Sequence, residues 1–214
     1  MAAVFLDLDG TLIDPAPGIL GSVSHALRAL DLPVPAPEAL RWVIGPALID
    51  SFARLGAAEP ERALALYRER FGAGAMFDCT VYPGIPAALD RLAAAGHRLY
   101  LATAKPRDFA VQITRRMGLD RHLAAQFGPD MDGTLNDKAD LLRHALTMTG
   151  EAAETAVMIG DRSHDIAAAH ANEMAAIAVE WGFGTETERA VADARCAAPG
   201  DVPATVDRVL SRSG

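Results

Sequence analysis

Two carboxylates two residues apart, Asp7 and Asp9, stand directly behind the apolar run Ala2-Ala3-Val4-Phe5-Leu6 and directly ahead of Gly10-Thr11. A short β-prone apolar run reads as a buried strand, and open parallel α/β sheets bind ligands at the C-terminal ends of such strands. Side chains alternate along a strand, so acids at i and i+2 leave on one side of the chain. Gly10 then lets the backbone turn and approach an anion closely. The same eight-residue pattern recurs as Asp130-Met131-Asp132-Gly133-Thr134-Leu135-Asn136-Asp137. There Pro129 precedes it, and only Ala124-Ala125-Gln126-Phe127 offers a possible strand. Chemistry is therefore expected of the first copy. The second is expected to be a loop of solvated turn residues whose task is to deliver Lys138.

Two further strand ends point at the same chemistry. Arg98–Thr103 ends in Thr103, followed by Ala104 and Lys105, and Thr155–Gly160 delivers Asp161-Arg162-Ser163-His164-Asp165. Between them Lys138 falls in the first turn of a helix. Each carboxylate has work if the reaction is phosphoryl transfer. Asp7 would attack phosphorus and form an aspartyl phosphate. A carboxylate attacking a phosphate dianion needs its charge neutralised, which calls for Mg²⁺ and Lys138. Octahedral oxygen ligation of Mg²⁺ matches Asp7, Asp161 and a backbone carbonyl. Thr103 offers its hydroxyl, and the backbone N–H groups beside it at Ala104 and Lys105, to a phosphate oxygen. The Lys105 side chain would either bind substrate or form an ion pair. Asp165 reads either as a metal ligand or as an acid favourable to a helix N-terminus. His164 is expected to be solvated or packed, because Mg²⁺ prefers oxygen.

The elements that must position these groups follow from periodicity. Residues 15–81 read as helical, with apolar residues at helical spacing from Ile19 to Leu30, then Glu38–Val43, Leu48–Leu55 and Pro60–Phe71, and no strand signal. From Tyr82 onward helices and strands alternate, which implies a parallel sheet covered on both faces. The expected architecture is an α/β, Rossmann-like parallel-sheet core made of residues 1–14 and 82–214, with an all-helical cap inserted at 15–81.

Composition narrows the function. Half the residues are hydrophobic, 22% are charged and the net charge is −8, so a general binder of nucleic acid or of a membrane surface is not expected. The N-terminus carries no charged, long apolar segment, and Cys79 and Cys196 form no disulfide framework, so the cytoplasm is the expected compartment. Of 20 basic residues, 18 are Arg, and the two lysines are Lys105 and Lys138. Lysine is a compact point charge and arginine a planar fork, so a phosphate site need not accept one for the other.

Asp7-Leu8-Asp9-Gly10-Thr11, Leu101-Ala102-Thr103, Lys138 and Gly160-Asp161-x-x-x-Asp165, in that order, resemble the haloacid dehalogenase superfamily. The resemblance is to its phosphoglycolate-phosphatase-like branch, which carries a helical cap. It implies Asp7 as nucleophile and Asp9 as general acid/base with its backbone carbonyl on Mg²⁺. It also implies Gly10, Thr103, Ala104, Lys105 and Lys138 around the phosphoryl group, with Asp161 and Asp165 at the metal. An acid at Asp9 suits a departing alkoxide more than a halide. The insert 15–81 has no lysine for Schiff-base chemistry. A Mg²⁺-dependent phosphatase of a small phosphorylated metabolite is expected, as monomer or homodimer. A phosphosugar mutase and a non-catalytic phosphate-binding regulator are the alternatives, and the latter would be expected to lack Asp7 or Asp9.

Overall fold

The computed structural model describes residues 1–211. Its chain divides into two compact units, one of residues 1–13 with the chain from Val81 onward, the other Asp14–Thr80. The N-terminal apolar run is β1 (Ala3–Leu6), every residue of it buried. A two-residue strand, β2 (Ile13–Asp14), leads into α1 (Ala16–Ala29), α2 (Pro37–Leu40), α3 (Leu48–Arg54) and α4 (Pro60–Gly72). Its partner β3 (Thr80–Val81) brings the chain back. β3 corrects the expectation of a block 15–81 without strands, while β2 lies just ahead of that block. Two residues are too few to carry a period-two pattern, so the sequence gives no sign of them.

Within the helical unit, α1 turns Val23, Ala26 and Leu27 inward. Gly18 permits its close approach to the 75–78 turn. A Cβ there would lie 2.2 Å from the Ala75 carbonyl oxygen, and the Gly18 N–H donates to Asp78 O at 2.9 Å. Phe52, Tyr67 and Phe71 fill the interior, with Tyr67 and Phe71 stacked at 5.2 Å.

The larger unit continues through α5 (Ile85–Ala94), β4 (Arg98–Ala102), α6 (Arg107–Arg116), β5 (Ala125–Phe127), α7 (Lys138–Thr149) and β6 (Ala156–Gly160). It closes with α8 (Ser163–Ala171), β7 (Ala175–Val179), α9 (Glu186–Arg189), β8 (Ala194–Cys196) and α10 (Val202–Leu210). Six strands form one sheet in the order β5-β4-β1-β6-β7-β8, with all five pairings parallel. This is the expected α/β core. Strands buried on both faces read as continuous apolar runs, which is why β1, β6 and β7 were visible. Phe5, Tyr100, Met158 and Ala176 lie on one face against Leu142 and Ala145 of α7 and Ile166 and Ala169 of α8. Helices α5 and α10 pack on the strands as well.

From β1 the chain builds outward to β4 and β5, then crosses back to β6 on the other side of β1. That reversal places a crevice beyond the C-terminal end of β1, where ligands bind in open parallel sheets. β5 falls where the sequence offers a possible strand. It is a real edge strand, three residues paired with β4, and it ends at Phe127 before Pro129 can interrupt it.

Candidate active site

Asp7 is the first residue beyond β1, and its backbone N–H donates to Ile159 O on β6 at 2.9 Å. Its carboxylate is buried and meets the Lys138 ammonium at 2.7 Å. The same ammonium lies 2.7 Å from Asp165 Oδ1. Lys138 is delivered by a well-defined helix start. The Asp137 carboxylate caps α7 by accepting from the N–H groups of Ala139 and Asp140 at 2.9 and 3.0 Å. Asp165 sits in the first turn of α8, where its Oδ2 accepts from the Arg162 N–H at 3.1 Å. Its two oxygens thus serve the helix start and the lysine together, which is the helix-start reading made from the sequence.

Asp161 follows β6 directly and is 1% exposed. Its Oδ2 accepts from the Phe183 N–H at 2.6 Å, while the buried Oδ1 has no hydrogen-bond partner. Asp7, Asp161 and Asp165 each present an oxygen within 4.8 Å of the others. The backbone makes room for these carboxylates with glycine. At Gly10, φ is +84° and a Cβ would lie 2.3 Å from Asp161 Oδ2. A Cβ on Gly160 would meet the Asp165 carboxyl carbon, also at 2.3 Å.

Asp9 turns its Oδ2 to the Lys105 ammonium at 2.8 Å, with both side chains largely buried. Thr103, fully buried at the end of β4, accepts the Lys105 N–H on its hydroxyl at 3.2 Å, and Ala104 lies half-buried between them. Both lysines are therefore drawn to the DxD acids, Lys138 to the first and Lys105 to the second.

The acidic cluster is short of positive charge. Burial pushes Asp7 up to about 7, with Asp165 and Asp9 adding to the push and Lys138 opposing it. Burial, then Asp165 and Asp7, raise Asp161 to about 8. Burial works to lower Lys138, yet Asp165 and Asp7 hold it above its ordinary value. Asp165 is held down: burial opposes this, and Lys138 outweighs it. His164, lowered by burial, stays neutral near pH 7 and brings no cation. Three buried carboxylates offering only oxygen, one with an unpartnered oxygen, fit a hard divalent cation such as Mg²⁺.

A consequence can be measured without substrate. In EDTA, the native protein keeps protons on Asp7 and Asp161 that the unfolded chain releases near pH 4. The native state then binds more protons than the unfolded state between about pH 4 and 8, so its stability falls as pH rises through that window. Asp165, held low, contributes in the opposite sense only below it. Urea unfolding midpoints in EDTA are expected to drop from pH 5 to pH 8, and Asp161→Asn is expected to flatten the drop. An unchanged slope in that variant would refute the account.

The second DxDGT copy forms a surface turn. Asp130 and Asp132 are exposed, Asp132 Oδ1 accepts from the Thr134 N–H at 2.9 Å, and Gly133 takes φ of +93°. Its approach is what matters to the site. Gly128 packs so closely on the strand-end loop after β4 that a Cβ would lie 2.6 Å from Lys105 O. The sequence reading missed the segment Trp181–Glu188 altogether. The Trp181 indole N–H donates to Thr11 O at 3.1 Å, and Gly182 and Gly184 press against Asp161. The signals present were two glycines flanking Phe183 just past a strand, and the Thr185-x-x-Glu188 capping box.

Known proteins resemble the chain over most of its length. Residues 4–179 match the family described as haloacid dehalogenase-like hydrolase. A 5'-nucleotidase of Pseudomonas aeruginosa is 43% identical over 188 residues, covering 86% of this chain and 85% of that one. A tyrosine-protein kinase, PtkA of Mycobacterium tuberculosis, is 37% identical over 182 residues, 85% of this chain but 62% of the longer kinase. A predicted phosphatase from Clostridium acetobutylicum superposes with a TM-score of 0.89 at 34% identity, over 98% of each chain.

Proposed function

The chain belongs to the haloacid dehalogenase-like hydrolase family and is a phosphoric monoester hydrolase, and on that premise we propose that it is a Mg²⁺-dependent, cytoplasmic phosphatase of small phosphomonoesters, nucleoside monophosphates first among them. The observation that carries the reading is the single ammonium of Lys138 between Asp7 and Asp165, beside the unpartnered oxygen of Asp161. The nucleotide preference rests on the Pseudomonas relative.

In this mechanism a phosphomonoester enters with its phosphoryl group toward Asp7. Lys138, the Thr103 hydroxyl and the backbone N–H groups at Ala104 and Lys105 hold the phosphoryl oxygens. Asp7 attacks phosphorus, the ester oxygen leaves, and Asp9 supplies its proton. Asp9 then takes a proton from the water that attacks the phospho-aspartate, releasing phosphate and restoring Asp7. Because Lys105 holds Asp9 in the structure, that ion pair has to open when substrate enters. Asp7, Asp161, Asp165 and the Asp9 backbone carbonyl would hold Mg²⁺, which supplies charge neutralisation for attack on a dianion. The helical insert 15–81 acts as a cap, and its residues, Gly45-Pro46 among them, choose the leaving group.

The test is phosphate release from a panel of nucleoside monophosphates, sugar phosphates and phosphoglycolate, with Mg²⁺ or with EDTA. Turnover of at least one class with Mg²⁺ and none in EDTA is expected. Equal turnover in EDTA would remove the metal from the proposal. No turnover of any class would remove the substrate assignment.

A further inference from the structure

The loop after β7 grips the β6–α8 turn from both sides of Asp161. On one side Phe183 donates its N–H to Asp161 Oδ2. Gly182 and Gly184 stand where a Cβ would lie 2.4 Å from Asp161 Cβ and 1.8 Å from Asp161 O. On the other side is Glu188. Its Oε1 accepts from Arg162 Nε at 3.0 Å, from the Ser163 hydroxyl at 3.1 Å and from the Ser163 N–H at 3.3 Å. Its Oε2 accepts from the Thr185 N–H at 2.8 Å, and its own N–H returns to the Thr185 hydroxyl. One carboxylate thereby fastens residues 183–185 to residues 162–163, with Asp161 held between them.

We propose that Glu188 is a positioning residue for Asp161, keeping one carboxylate oxygen on the Phe183 N–H and the other directed to the divalent cation, so that it sets how tightly the site takes Mg²⁺. The proposal rests on the reading of Asp7, Asp161 and Asp165 as metal ligands. A ligand oxygen held by its surroundings binds a metal without first being ordered, and loss of such support costs about 10- to 100-fold in metal affinity. Three features set Glu188 apart from a surface acid. Its side chain is only 17% exposed. Its donors come from both segments that it joins. Burial works to raise it, yet the Thr185 N–H, Arg162 and the Ser163 N–H together pull it down to about 2. It is therefore a fixed negative charge throughout the working pH range. It touches none of the reacting groups, so its effect passes through Asp161.

Calorimetric titration of the metal-free protein with MgCl₂ tests this without substrate. Glu188→Ala is expected to weaken Mg²⁺ binding about 10-fold, with kcat at saturating Mg²⁺ within about 3-fold of wild type. Glu188→Gln, isosteric and uncharged, is expected to lie between, and keeps the test open if Glu188→Ala does not fold. Arg195→Ala, which removes an exposed partner of Glu186 on the same short helix, serves as the control and is expected to leave Mg²⁺ affinity unchanged. A merely structural Glu188 would lower the unfolding temperature and leave Mg²⁺ affinity unchanged, and that result overturns the proposal. A wild type that binds no Mg²⁺ overturns instead the ligand assignment beneath it.

Discussion

Asp7→Asn is expected to lower turnover by about 10⁴-fold or more and to leave the fold intact. The amide has the shape of the carboxylate but cannot attack phosphorus. Nothing else in the pocket substitutes for it, because Asp165 spends its oxygens on Lys138 and the Arg162 N–H, while Asp9 is held by Lys105. The exchange is tolerated by the fold for a reason visible in the charges. Burial and the neighbouring acids already disfavour a carboxylate at this position, so a neutral isostere relieves repulsion. The measurement is phosphate release at saturating Mg²⁺, with circular dichroism to check folding. Asp130→Asn, at the matching position of the second copy, is the internal comparison. Asp130 is exposed, lies outside the acidic cluster, and is expected to give wild-type rates when neutralised. Comparable inactivation of both folded variants would show that the chemistry has been assigned to the wrong copy.

Lys138→Arg is expected to lose on the order of 10²-fold or more in kcat, with no recovery on adding Mg²⁺. Conservation of charge does not help, because the site asks for a point. The ammonium stands 2.7 Å from oxygens on two different elements, and both its side chain and theirs are buried. A guanidinium is longer and planar, so it cannot occupy that point without displacing one carboxylate. Asp165 cannot give way, since its second oxygen is bound to the Arg162 N–H. Asp7 would have to move, and Asp7 is the group that the proposed mechanism aligns with phosphorus. Wild-type kcat in the arginine variant would leave the two lysines as accidents of composition. Lys138→Met separates alignment from charge. Deleting the cation strands two buried acids, which is expected to cost about 3–5 kcal/mol in urea unfolding.

The site was legible where side-chain chemistry sits at the end of an apolar run. Asp7, Thr103 and Asp161 each follow a buried strand, and Lys138 follows an aspartate that caps its helix, so type and spacing point to the same place. The helix Ser163–Ala171 and the strand Ala175–Val179 carry the alternation read from Tyr82 onward, one opened by polar residues and the other continuously apolar. The segment 181–188 was illegible for a physical reason. It acts through a backbone N–H and through the absence of Cβ atoms at Gly182 and Gly184, and neither carries a chemical signature in the sequence. β5 was faint because three half-buried residues at a sheet edge lack both length and a clear pattern. Which lysine joins which acid is likewise a fact of three-dimensional placement. Nothing in the spacing distinguishes Lys105 on Asp9 from Lys105 on substrate.

Both lysines of the chain are buried in ion pairs at the candidate site, with side chains 5% exposed, which shapes how the protein meets amine reagents. Acylating labels, amine-coupled supports and carbonyl modifiers find no lysine side chain on its exterior. Whatever they add to a lysine, they add in the crevice. Under the proposed mechanism, lysine modification and loss of activity are expected to be the same event, with bound substrate shielding against both. Attachment for a sensor or a crystal screen is better made through Cys79, which is partly accessible, than through the amines that serve most proteins.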